Sequence, residues 1–175
     1  MTWWAFVLVT LVTALVLWIP QNYQHEGLHA LFAKLYGGYN IKVRGFPHKG
    51  SDGKWNFASC SWNNTRKMSD RERSNICLAP WAGNFVLVIL LSLGNHFGPH
   101  HFGSAVLLGW TINNLVDGAN NARLAVRAAH TKEFNEVHSD IPRGARYWGY
   151  TAPLTTGMMI TWFVFSTALT VLGAL

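Results

Sequence analysis

The placement of charge along this chain constrains its fold more than any other feature. Residues 1–24 contain no Asp, Glu, Lys or Arg, and 3–19 are almost wholly apolar. Three further apolar stretches follow, at 76–93, about 102–126 and about 148–175. Stretches of this length suit a hydrocarbon core of about 30 Å at about 1.5 Å rise per residue. A secretory signal would carry positive residues ahead of its apolar run. None stands here, so the first stretch is expected to be a retained membrane helix. No boundary divides the 175 residues. The expectation is one membrane-embedded domain over 1–175, an all-α polytopic membrane protein with about four transmembrane helices and a β-hairpin between helices 1 and 2.

Half of the residues are hydrophobic and 13% are charged, against about 25% charged in soluble domains. The net charge is +6. In a soluble chain that balance would raise nucleic acid as a partner; between apolar runs it points to a membrane face, so the bilayer is expected and nucleic acid is not. Nine of the 14 Lys and Arg lie between Lys34 and Arg73, and five between Arg123 and Arg146. The connection at 94–101 has none. By the positive-inside rule both basic connections face the cytoplasm and the N-terminus faces out. Tyr147, Trp148 and Tyr150 have the character of an interfacial aromatic belt.

The first connection holds strand signals. Tyr39, Ile41 and Val43 alternate with Asn40, Lys42 and Arg44, residues 55–62 form a second strand-like run, and 47–53 supply turn residues ending Asp52-Gly53. Ser69-Asp70-Arg71-Glu72 has the spacing of a capping box opening the second span. Cys60 and Cys77 lack metal-site spacing and are expected to be ordinary thiols.

The sharpest chemical signal is His25-Glu26-Gly27-Leu28-His29. Residues four apart on a helix share a face, so both imidazoles can address one metal ion. Glu26 stands beside them, placed to deprotonate the water that such a metal activates. Ionisable groups opening an apolar stretch are costly and usually functional. Two histidines leave a catalytic zinc one protein ligand short. The candidate is Asp117, the only acidic residue between Glu72 and Glu133. The charge-derived topology brings the ends of spans one and three to the same leaflet, with the active site towards the cytoplasm. Asn113, Asn114, Asp117, Asn120 and Asn121 form a polar stripe that must face the bundle interior. Its asparagines either hydrogen-bond between helices or support the ligands and a developing oxyanion.

These motifs resemble the site-2 proteases, a family of intramembrane zinc metalloproteases. Residues 25–37 are similar to the family's HExxH helix with Gly at its end. Ala79-Pro80-Trp81-Ala82-Gly83-Asn84 looks like its Gly-Pro-x-x-Asn element, and Leu115-Val116-Asp117-Gly118 like its Asp-Gly motif. The hairpin occupies the place of the family's membrane-associated β-loop. The order is right over residues 25–121. Gly27 and Leu28 stand in swapped order, Ala79 replaces the glycine of Gly-Pro, and no proline follows Asn113 and Asn114. The resemblance implies one Zn2+ per chain on His25, His29 and Asp117, Glu26 as general base, and Asn84, Asn113 or Asn114 as oxyanion or supporting residues. The implied substrate is a transmembrane segment of another protein or a membrane-embedded peptide.

Two other classes stay open. One is a catalytically silent relative that binds membrane proteins. The other is a di-iron membrane oxygenase or desaturase, for which His96, His100 and His101 offer a second histidine box, though on the outer side of the expected topology. His48, His130 and His138 are expected to be solvated.

Overall fold

Thr2 starts the first helix, its Oγ1 accepting from the Ala5 N–H at 3.3 Å. In this computed structural model, residues 2–50, 53, 55–97, 102–131, 140–149 and 151–174 are described. The elements are α1 (Trp3–Leu35), β1 (Gly38–Arg44), β2 (His48–Lys49), β3 (Trp55–Asn56), β4 (Ser59–Asn64), α2 (Asp70–Phe97), α3 (Phe102–Thr131), α4 (Asp140–Tyr147) and α5 (Ala152–Ala174). The chain is therefore mostly helical, with a small antiparallel sheet between the first two helices, as expected.

α1 runs through Pro20 for 33 residues, about 50 Å. Gly37, at φ +87°, ends it in the left-handed conformation that a glycine adopts without strain. The buried positions of α1 are small or polar: Thr10, Ala14, Gln21, Glu26, His29 and Ala33. Its exposed positions include Trp4, Leu8, Leu15 and Val16. Among the described residues, two helices are long and apolar enough to cross a membrane, Trp3–Leu35 and Asp70–Gly94, and Pro153–Leu169 is a shorter apolar run. α3 mixes an apolar first half with Asn113, Asn114, Asp117 and Arg123.

The hairpin has two tiers. β1 pairs antiparallel with β4, with an irregularity between Tyr39 and Lys42 where Asn40 takes φ +51°. β2 pairs with β3. Asp52 of the expected turn lies outside the described residues. The sheet lies back along α1. Gly38 sits against the Ala33 backbone, Asn22 donates to the Gly45 carbonyl at 3.4 Å, and Trp18 meets Phe57 edge-on at 5.9 Å. His48, expected to be solvated, is half-exposed and also hydrogen-bonded. Its ring is held 2.8 Å from the Phe46 carbonyl and 2.9 Å from Ser59 Oγ, with Ser59 opposite Arg44 at the end of β1 and His48 opposite Asn56.

The capping box forms as expected. The Glu72 N–H donates to Ser69 Oγ at 3.3 Å, and the Ser69 N–H donates to Glu72 Oε2 at 2.8 Å. Arg66 grips the same carboxylate. α2 packs on α1 with Gly83 under Leu28 and with Asn75 donating to the Tyr36 hydroxyl at 2.8 Å. α3 approaches α1 closely at Gly109, whose added Cβ would stand 2.9 Å from both Ala14 N and Thr10 O. Trp81 and Trp162 join α2 to α5 edge-on, 5.0 Å apart.

The short α4 is fixed to the start of α2. Buried Ser74 donates to the Gly144 carbonyl at 2.8 Å. Gly144 lies against Leu78 and Cys77 so closely that a Cβ would come within 2.8 Å of Leu78. Pro142 is fully buried.

Candidate metal centre

His25, Glu26 and His29 lie in the last third of α1. Their spacing brings the two imidazole centroids to 5.1 Å. His29 is buried, with Nδ1 2.7 Å from the carbonyl oxygen of Ile76 on α2. A carbonyl oxygen only accepts, so Nδ1 carries the hydrogen and a neutral His29 leaves a lone pair on Nε2. That nitrogen faces Asp140 Oδ2 at 3.1 Å, and His25 Nε2 approaches the same oxygen at 3.2 Å.

A carboxylate oxygen and an imidazole lone pair do not attract without a positive centre between them. For His29 either a second proton makes the ring cationic or a metal ion takes its place, whereas His25 can also meet the oxygen as a neutral Nε2–H donor. One ligand atom each from His25, His29 and Asp140 fits within 4.8 Å. The two measured separations are close to the edge, about 3.3 Å, of a tetrahedron around a metal about 2.0–2.1 Å from each ligand. The donor set of two imidazoles and a carboxylate is thus suited to a metal ion in composition and in spacing.

Asp140 opens α4, and its second oxygen is held by Arg143 at 3.3 Å. Burial pushes the Asp140 carboxyl up, but hydrogen bonds from His25 and His29 outweigh that and hold it well below the usual carboxylate range. The sequence signals named no role for Asp140. It lies 111 residues beyond His29, in a connection with no ligand spacing. The one local hint is Asp140 shortly before Pro142, a helix-start pattern.

Asp117, the expected third ligand, reaches His25 from the other side, its Oδ2 3.8 Å from Nδ1. Both aspartates border a cavity of about 720 Å³, together with His25, Glu26, Asn84 and Asn113. Trp18, Trp55 and Phe57 also line this space. A second cavity of about 320 Å³ shares Glu26 and Asp140 with it and is lined also by His29, Cys60, Cys77 and Arg143. Glu26 is buried and lines both.

Of the three asparagines, Asn84 accepts from Gln24 Nε2 at 2.8 Å, and Asn113 donates to the Ala14 carbonyl at 2.8 Å. Asn114 donates to the Trp110 carbonyl of its own helix at 3.1 Å and does not line the larger cavity. His96 meets Phe97 edge-on at the far end of α2; His100, His101 and His138 lie outside the described residues. Comparison with protein-family models, with curated proteins and with solved structures gave no match.

Proposed function

We propose that this chain is a zinc-dependent intramembrane endopeptidase acting on a transmembrane segment or a membrane-embedded peptide. One observation carries the reading. The two imidazole Nε2 atoms of an HExxH helix converge on a single carboxylate oxygen, with a buried glutamate next to them and an open cavity on the same wall. His25, His29 and Asp140 would hold the ion. When bound in such a site, zinc acidifies a water and polarises a carbonyl.

The protein groups then divide the remaining work. His29 is oriented by Ile76, and Arg143 holds the far oxygen of Asp140. Glu26 takes one proton as the water oxygen adds to the scissile carbonyl carbon. It returns that proton to the amide nitrogen as the carbon–nitrogen bond breaks, leaving an acid and an amine. Asn84 and Asn113 border the space where the tetrahedral oxygen would develop, within a cavity rimmed by aromatic side chains suited to apolar residues. A helical substrate hides its carbonyls and must unwind first; the hairpin offers a strand edge for the unwound stretch.

A second reading of the third ligand rests on the 3.8 Å approach of Asp117 to His25 and on the resemblance of Leu115-Val116-Asp117-Gly118 to an Asp-Gly motif. The oxygenase class lacks comparable support. His96 lies 15 residues beyond Trp81, the α2 residue beside His25, about 22 Å along the helix.

The setting belongs to the same proposal. α1, α2, α3 and α5 would be the four spans, with both basic connections in the cytoplasm. The inverted burial of α1, apolar outside and polar inside, supports lipid as its solvent.

Glu26→Gln tests the chemistry. Cleavage of a membrane substrate should fall by at least about 10²–10⁴-fold, while purified wild type and variant both carry about one zinc per chain. Full activity in the variant would sink the assignment. Zinc without cleavage in the wild type would leave the silent relative.

A further inference from the structure

Proline in the interior of a helix removes one donor and turns one carbonyl away from the helix axis. In α2 that proline is Pro80, fully buried. The N–H of residue 80 would ordinarily bond the carbonyl of residue 76. Ile76 is buried as well, so its carbonyl, deprived of the helical donor, needs another partner. The partner is His29, whose Nδ1 lies 2.7 Å from that oxygen. The carbonyl that Pro80 sets free is the same one that orients the imidazole.

We infer that Pro80 is a positioning residue of the metal centre: by lacking an N–H it reserves the Ile76 carbonyl for His29, which fixes the ring's tautomer and aims Nε2 at the ion. The inference rests on the metal reading proposed above and adds the reason a proline stands in the middle of a long helix. Gly83 and Leu28 seat α1 on α2 nearby, so the reserved carbonyl stays level with His29.

The test uses Pro80→Ala and Pro80→Gly in the full chain, purified in detergent and freed of metal. Either residue restores the N–H, which bonds Ile76 and competes with His29. Cobalt(II) titration should show affinity weaker by about 10–100-fold, the range for losing an outer partner of a ligand histidine. The metal-free melting temperature of Pro80→Ala should stay the same or rise, because alanine favours a helix interior. In the metal-free protein, ¹⁵N-histidine spectra should show a hydrogen-bonded Nδ1–H on His29 in wild type and a weakened or lost Nδ1–H hydrogen bond in the variants. Unchanged cobalt affinity in both variants would overturn the inference and leave the metal site standing. Loss of affinity together with a lower melting temperature would overturn it too, by reducing Pro80 to helix packing. A wild type that takes up no cobalt would instead remove the metal reading itself.

Discussion

Glu26 and the two histidines were legible because one helix supplies all three, and its period is the only geometry their chemistry needs. The carboxylate is different, since two aspartates from distant parts of the chain flank His25 at 3.2 and 3.8 Å. Metal content of single variants separates them. If Asp140 is the ligand, Asp140→Ala should purify with under about a tenth of the wild-type zinc, and Asp117→Ala should keep most of it at an affinity weakened by about 10–100-fold. The opposite ranking would assign the role to Asp117. Cys60 gives an independent measure of the same neighbourhood. Burial, then the negative charges of Glu26 and Asp140, push its thiol up to about 11. A raised value means less thiolate at any pH below it. At pH 8 and without metal, alkylation by iodoacetamide should therefore run roughly 100-fold slower than for an exposed cysteine. An ordinary rate would mean that the hairpin does not cover the thiol.

Among the elements, the hairpin could be anticipated from the alternation in 39–44, and the start of α2 from Ser69 and Glu72. The arrival of α4 could not. Asp140 comes to the site because Gly144 lets α4 settle onto Leu78 and Cys77 and because Ser74 holds the Gly144 carbonyl. Each of these is a contact between residues about 70 apart, which leaves no periodicity to read. Helix spacing yields its own prediction. A Cβ on Gly109 meets backbone atoms of α1 at 2.9 Å, whereas one on Gly83 meets the flexible end of Leu28. Gly109→Ala must move a helix, and Gly83→Ala need only move a side chain. Thermal denaturation in detergent should show Gly109→Ala destabilised by about 1–3 kcal/mol and Gly83→Ala by clearly less. Equal effects would mean that α1 and α3 are not in tight contact.

For the whole molecule, the decisive quantity is which side chains face outward. Trp4 is 79% and Leu15 76% exposed, while Gln21, Glu26 and His29 of the same helix are buried. In water that arrangement would expose large apolar surface and bury ionisable groups, both unfavourable. In lipid it satisfies both. The apolar segments were therefore readable one by one, whereas the path of the chain across a bilayer follows only when lipid is granted as the solvent. α2 makes that path measurable. Lys67 precedes it, Gly94 lies near its end, and both are exposed; residues 70 and 94 are about 36 Å apart along the axis. Thr151, exposed at the start of α5, should return to the side of Lys67. In a Cys60→Ala, Cys77→Ala background, single Lys67→Cys, Gly94→Cys and Thr151→Cys variants would be placed in sealed cells. A membrane-impermeant maleimide should label Gly94→Cys at once, and the other two only after permeabilisation, since the basic residues cluster on their side. Labelling of all three in intact cells, or of none, would mean that α2 does not cross the bilayer, and would remove the setting in which a buried HExxH site can meet a membrane-embedded peptide.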